Sequence, residues 1–505
     1  MPGDPMLLLA PLLSPDAWLY VLIGVALGVL FGSLPGFTAT MGLAVLTPFT
    51  FWVKPDQAMA MLLGLLVSAI FSGGVPAILL NTPGTPASIA MTWDGHPLAR
   101  QGRAGLALGL NAIGAFLGIF LSLVVLLIAA LPLSRLALQF GPAEYFAVAV
   151  FGLSTIVGVS GGSMLKGVAT GIIGLLLAVI GLDSITGYPR FTFGQPELLD
   201  GVSFIPVMVG LFGIAEVFTQ MVSPPRQQLD GSTQTTNMLP TREEARPLWM
   251  HGLRGSLMGI WIGIMPAAGA DVGAILAWDQ SRRFSKTPEK FGKGSLEGLI
   301  AATTGANAGI GGSLVTTLAL GIPGDSAAAV LIGALLMHGL QPGPLLFRNR
   351  PDLVATIVAL VFMASLVTLV WGLLGAKVLA KILKIRDQYL WATVLAVALG
   401  GSYALNQSTG DVWTALLGGV LGFLLRQQGF PMGPLVLALI LGPMAESNLR
   451  RALALSEGSM ATFVTRPISL LFLVLAALTL LWPLFSKKGG DSRLPDSSVP
   501  DSDTL

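Results

Sequence analysis

Leu80-Asn81-Thr82-Pro83-Gly84-Thr85 and Leu320-Gly321-Ile322-Pro323-Gly324-Asp325-Ser326 interrupt a chain that is otherwise almost continuously apolar. Each follows a long apolar stretch and leads into another, Pro86–Met91 in the first case and Ala327–Ile332 in the second. Proline has no N–H with which to continue a helix, and glycine favours a sharp reversal, so a helix stops at either pair. In lipid, non-helical backbone survives only where protein or a water-filled cavity surrounds it. Matched breaks in two halves of a membrane chain are the best sequence pointer to a transporter's substrate site.

The surroundings of the two loops are those of a bilayer protein. Of 505 residues, 53% are apolar and only 11% charged, against about a quarter charged in soluble domains. Runs such as Ala112–Leu131 and Leu353–Leu373 reach the roughly 20 residues that span hydrocarbon. The pattern predicts an all-α polytopic membrane protein with about 10–12 membrane segments, some of them broken or re-entrant. The 63 glycines suit helices packed backbone to backbone. With no cysteine there is neither disulfide nor thiolate chemistry, and a net charge of +2 argues against a nucleic-acid partner. Trp18–Leu30 lacks a basic n-region before it and reads as a retained first membrane helix.

The chain also repeats. Gly24, Gly28, Gly32, Pro35 and Gly42 recur at identical spacing as Gly255, Gly259, Gly263, Pro266 and Gly273. Pro83-Gly84 then corresponds to Pro323-Gly324 with nine extra residues intervening, and Ala215-Glu216 is echoed by Ala445-Glu446. The organisation expected is a first membrane repeat over 1–222, a polar linker over 223–250, a second repeat over 251–486 and a disordered tail over 487–505. Glycines every fourth residue make one smooth helix face. That helix breaks at Pro35 or Pro266, and the short segment beyond ends near Trp52 or Trp278. Basic residues flank the second hairpin (Arg242, Arg246 and Arg254; Arg282, Arg283 and Lys286), while none precedes Trp18. By the positive-inside rule the halves are expected to be inverted.

Where a helix restarts after each break, its first N–H groups lack intrahelical partners and favour an anion. Asn81, Thr82, Pro83, Gly84, Thr85 and Ser88 in one loop, with Gly321, Pro323, Gly324 and Ser326 in the other, are therefore the candidate substrate-binding residues. Capping alone also explains Thr85, Ser88 and Asp325. Asp271, Asp325 and Asn307 are candidates for a coupling cation, Na⁺ or H⁺, because a carboxylate repels an anionic substrate. Asp94 and His96, beside Arg100 and Arg103, read as a structural loop, and Glu216 and Glu446 as interfacial. No cofactor is expected.

Two longer runs carry a resemblance. One is Gly73-Gly74-Val75-Pro76 through Pro83-Gly84, followed by Asp94-Gly95-His96-Pro97; the other is Phe291-Gly292-Lys293-Gly294 with Glu297-Gly298, Asn307, Leu320–Gly324 and Gly339–Pro344. Together they resemble the large membrane subunit of the tripartite tricarboxylate transporters, the TctA family, from about Gly24 to Glu446. The resemblance implies a permease of the bacterial inner membrane. It also implies two partners, a small membrane subunit and a periplasmic solute-binding protein, and uptake of carboxylates driven by a cation gradient. Two positions depart from the family pattern: His96 stands where tyrosine is frequent, and Ala268 and Ala270 surround Gly269 where a Pro-Gly pair is usual.

Two other classes compete. Gly158-Val159-Ser160-Gly161-Gly162 fits G-x-S-x-G, but a nucleophile elbow needs a strand-turn-helix context that this apolar stretch lacks. A membrane serine hydrolase would have to recruit His96, His251 or His338. A passive anion channel is the other alternative. Neither a zinc-protease HExxH nor a Walker A motif occurs.

Overall fold

A computed structural model describes residues 5–34, 36–137, 139–155, 164–183, 186–222, 238–265, 269–343, 346, 350–375 and 387–485. The breaks at Pro35 and at Pro266–Ala268, Ser160, most of the polar linker and the C-terminal tail lie outside those residues. The chain is all-α and polytopic, as its composition predicts, with strand confined among the described residues to a two-rung hairpin, β1 (Gly181–Leu182) against β2 (Pro189–Arg190).

Five helical stretches are long and apolar enough to cross a membrane. They are α2 (Pro15–Ser33), α4 (Pro55–Leu80), the stretch Pro86–Ala129 that holds α5 (Ile89–Leu98) and opens α6 (Ala104–Ala137), α9 (Phe204–Val222), and α14 (Pro351–Leu374). Around them lie α1 (Pro5–Leu12), α3 (Ala39–Thr50), α7 (Pro142–Ser154), α8 (Met164–Val179), α10 (Arg242–Ile264), α11 (Gly269–Phe284), α12 (Leu296–Leu320) and α13 (Ser326–Met337). The series closes with α15 (Asp387–Asn406), α16 (Thr409–Gln427), α17 (Gly433–Leu455) and α18 (Pro467–Phe485). At 12 residues, α3 and α13 each rise only about 18 Å, short of the roughly 30 Å of hydrocarbon.

The sequence repeat reappears as a repeat of packing. On α2, a Cβ at Gly24, Gly28 or Gly32 would strike the carbonyl oxygen of Met61, Leu65 or Ala69 on α4. On α10, a Cβ at Gly255, Gly259 or Gly263 would strike that of Ala301, Gly305 or Gly309 on α12. Both series step by one helical turn, so the spacing that suggested a duplication is the spacing at which two backbones touch. In the first half Ser68 and Ser72 add hydroxyl bonds to the Val25 and Gly28 carbonyls, both 3.1 Å.

Replacing Gly259 by Leu is therefore expected to remove most folded protein. Its side chain would meet rigid backbone that no rotamer change relieves, and overpacking of even flexible sites costs about 1–3 kcal/mol. Gly400 on α15, with open space where its Cβ would go, is the matched control. Gly400→Ala should be tolerated or mildly stabilising, and membrane yield with thermal unfolding compares the two.

α4 and α12 end alike. Asn81 (φ 56°) and Gly321 (φ 70°) take the left-handed conformation that closes a helix, two residues before each Pro-Gly. The nine extra residues fall between the glycine helix and the helix leading to the loop. The α11–α12 connection runs from 285 to 295, whereas α3 and α4 are joined by 51–54. α11 consequently continues past Trp278, where the sequence suggested an end.

The longer connection is clasped by the first half. Asp94 lies within α5 rather than in a loop and is fully buried. Its Oδ1 accepts the N–H groups of Gly292 (2.8 Å), Gly294 (3.1 Å) and Ser295 (2.8 Å), and its Oδ2 accepts the Trp278 indole N–H at 2.7 Å. The structural reading of Asp94 holds; its placement in a loop does not.

Candidate functional site

α3, α11, α13 and the turn entering α5 begin where the chain has just stopped being helical, and a cavity of about 270 Å³ lies among their starts. Thr38, Ala39 and Thr40 come from the start of α3, and Ala270 and Asp271 from the start of α11. Thr85, Pro86 and Ala87 follow the first Pro-Gly, and Asp325, Ser326 and Ala327 follow the second. These are corresponding positions of the repeat: Thr40 precedes Gly42 as Asp271 precedes Gly273, and Thr85 follows Gly84 as Asp325 follows Gly324. Ile70, Phe212, Pro323, Arg426 and Leu437 also line the wall.

The halves thus place different residues around one space. At these corresponding positions the first half has threonine where the second has aspartate. Thr85 is 4% exposed and its Oγ1 has no partner among the described residues, a costly state for a buried hydroxyl unless something else meets it. Ser88 does not supply that partner. It is fully buried, accepts the Thr85 N–H at 3.2 Å and donates to the Thr85 carbonyl at 2.7 Å.

Asp325 is satisfied. It caps α13 through the Ala328 N–H at 2.7 Å, with the start of α11 packed closely against its side chain. The N-terminus of α13 is thereby already occupied by a carboxylate of the chain itself. Gly269, at φ 55°, lets the α11 backbone come this close, because a Cβ there would overlap the Asp325 side chain. Asp271 differs: its carboxylate lines the cavity and makes no hydrogen bond or ion pair among the described residues. Behind Asp325 lies a second void of about 10 Å³, bordered by Ser313 of α12, whose buried Oγ also lacks a partner. Such a volume accommodates about one water.

Of the residues singled out from the sequence, Thr85, Pro323, Ser326, Asp271 and Asp325 line the cavity. Gly84 and Gly324 stand beneath it, each packed against the helix before its loop: Gly84 N–H bonds the Gly73 carbonyl at 3.1 Å, and Gly324 abuts Ser313. Asn81, Thr82 and Pro83 are exposed and Gly321 is buried, and none of these four borders the cavity. Asn81 contributes through its backbone, as a helix C-cap. Asn307 is fully buried in α12, donates to the Thr303 carbonyl at 2.9 Å, and touches neither cavity. Sequence reading passed over Thr40, Ser313 and Arg426. The repeat register held the signal for Thr40; a lone arginine in Gly422–Phe430 held the signal for Arg426.

Glu216 and Glu446 part company despite their matching positions. Glu216, 6% exposed, pairs with Arg426. Glu446 joins Arg190 at 2.8 Å and Arg450 at 2.7 Å beside the β-hairpin, and its hydrogen bond holds the Arg190 guanidinium further above its ordinary range.

Ser281, His251 and Glu297 lie in the order of a hydrolytic triad. Ser281 Oγ is 2.6 Å from His251 Nδ1, and His251 Nε2 is 3.5 Å from Glu297. Ser281 is only 1% exposed and neither cavity touches the group, so no substrate carbonyl can reach a nucleophile there. The arrangement ties α10 to α11 and α12.

Comparison with known proteins identifies the family. The family model described as "Tripartite tricarboxylate transporter TctA family" matches residues 18–437. An uncharacterized 52.8 kDa protein in the TAR-I ttuC' 3' region of Agrobacterium vitis is 36% identical over 457 residues, 90% of this chain and 91% of the relative. An uncharacterized protein in the TAR-II ttuC' 3' region of the same organism is 32% identical over 234 residues, 46% of this chain and 97% of the relative. No solved structure matches.

Proposed function

The chain belongs to the tripartite tricarboxylate transporter TctA family, and from that premise we propose that it is the permease subunit of a secondary transporter importing small carboxylates. The reading places it in the bacterial inner membrane with a small membrane subunit and a periplasmic solute-binding protein as partners. Uptake is coupled to a Na⁺ or H⁺ gradient. The two halves are inverted relative to one another.

One observation carries the proposal: a single cavity lined by corresponding residues of both halves, threonines from one and aspartates from the other. In this reading a carboxylate substrate takes its hydrogen bonds from Thr85 and Thr40, while Asp271 accepts the coupling cation beside the fixed charge of Asp325. At about 270 Å³ the space lies below the roughly 300–1,000 Å³ of pockets for drug-sized ligands, which suits an acid of a few carbons. Binding anion and cation together offsets charges that would each be costly to hold alone away from water.

Thr85→Val tests the anion side. It removes an unpartnered hydroxyl and keeps the shape, so folding is expected to be unchanged or slightly improved. The apparent KM for labelled citrate, malate or succinate should rise about tenfold or more, because one hydrogen bond to a charged group is worth about 1.5–3 kcal/mol. Unchanged KM with unchanged yield would reduce Thr85 to a packing residue and count against the cradle.

A further inference from the structure

We propose that Arg426 is the carboxylate-binding cation of the cavity and that Glu216 is its resident counter-ion, displaced when the substrate anion enters. The inference rests on the carboxylate reading above and adds the residue that offsets the substrate's charge.

Among the described residues Arg426 is the only basic side chain on the cavity wall. That wall also bears Asp271 and Asp325, so an anion entering it needs a positive partner. Arg426 has one. Only its Nη1 is engaged among the described residues, by Glu216 Oε2. Its side chain is 35% accessible while that of Glu216 is 8%. The planar guanidinium therefore retains donors in the geometry that grips a second carboxylate in bidentate fashion.

The pair is held firmly at its stems. Glu216 follows a π-helical stretch of α9, Val209–Ile214, that also carries the cavity residue Phe212; such local widening of a helix is frequent at functional sites. Gly210 and Gly422 bring α9 and α16 into backbone contact, a Cβ at Gly210 striking the Ala415 carbonyl and one at Gly422 approaching that of Leu211. Glu216 also has a second partner, the Gln220 amide at 2.8 Å to its Oε1. Losing Arg426 would leave the carboxylate hydrogen-bonded. Exchange of one carboxylate for another keeps the guanidinium neutralised throughout, while the Gln220 amide stays on the Glu216 carboxylate.

The corresponding acid of the other half shows what a purely structural pair looks like. Glu446 shares Arg190 and Arg450 with Asp183, two cations for two acids, and none of the four lines the cavity.

The test is a double-mutant cycle on the full chain with its partner subunits, reading KM and Vmax for labelled citrate and succinate, normalised to protein in the membrane. Arg426→Gln should raise KM by about tenfold or more, and Arg426→Lys should fall between it and wild type, keeping charge but losing the fork. Glu216→Gln should lower KM several-fold by freeing the guanidinium, and Glu216→Gln with Arg426→Gln should keep the high KM of Arg426→Gln alone. A double variant restored toward wild type, or a Glu216→Gln variant with raised KM, would show a structural ion pair and overturn the inference. If Arg426→Gln lost transport altogether, citrate-induced thermal stabilisation of the purified chain would decide. It should persist in Glu216→Gln and vanish in Arg426→Gln; equal stabilisation in both would refute the assignment. Wild-type protein that takes up neither acid would defeat the carboxylate reading itself, and this inference with it.

Discussion

Asp94→Ala is expected to leave little folded protein in the membrane. The carboxylate receives three backbone N–H groups of residues 292–295 and the Trp278 indole, all in a fully buried position. Hydrogen bonds to charged groups are worth about 1.5–3 kcal/mol each, and donors left buried without an acceptor cost about as much. Four such losses, even heavily discounted for relaxation and water entry, are comparable to the roughly 5–15 kcal/mol that holds a whole domain folded. Gly298 sharpens the prediction, because a Cβ there would collide with Asp94 Oδ2, so the fit admits no larger replacement. Asp94→Asn, which keeps an acceptor oxygen but loses the charge, should fall between. Yield and thermal unfolding in detergent read the series; a normally melting Asp94→Ala protein would mean that the clasp contributes little.

The second large effect is functional. Asp271→Asn is expected to abolish gradient-driven accumulation of carboxylate while leaving folding intact. Asp271 stands in the first turn of α11 on the cavity wall, where a helix start favours a negative charge. It makes no hydrogen bond or ion pair among the described residues. Neutralising it should therefore change stability little, and a carboxylate on the cavity wall without a structural bond is expected to serve the ion. Asp325→Asn is the informative companion. Asparagine is as good an N-cap as aspartate, so α13 should still start correctly, and any loss of coupling would then report charge. Full accumulation by Asp271→Asn would remove it from the coupling site.

Much of this was legible in the chain because backbone chemistry speaks locally. Pro83-Gly84 and Pro323-Gly324 end helices wherever they occur, and glycines at every fourth position imply a partner helix at backbone distance. The contrast of Thr40 with Asp271 and of Thr85 with Asp325 was also present in the repeat register, although judging each loop separately concealed it. Asp94 was misplaced because Gly95 and Pro97 weaken a helix by propensity, and tertiary bonds to residues 200 positions away override propensity. Asn81 stands where the chain needs a residue that tolerates positive φ, a requirement that its amide does not announce. Arg426 was overlooked because an arginine near a helix end normally reaches the interface. Its partner Glu216 lies 210 residues earlier, and no local pattern joins them.

The central claim is that the cavity shared by the two halves carries a carboxylate together with a cation. Its most direct test is uptake of labelled citrate, malate and succinate by cells or vesicles holding the complete system, with Na⁺ and H⁺ gradients imposed one at a time. The account predicts accumulation above the external concentration under one of those gradients and its collapse on adding the matching ionophore. Uptake that only equilibrates, at a rate indifferent to both gradients, would contradict it and leave a passive pore.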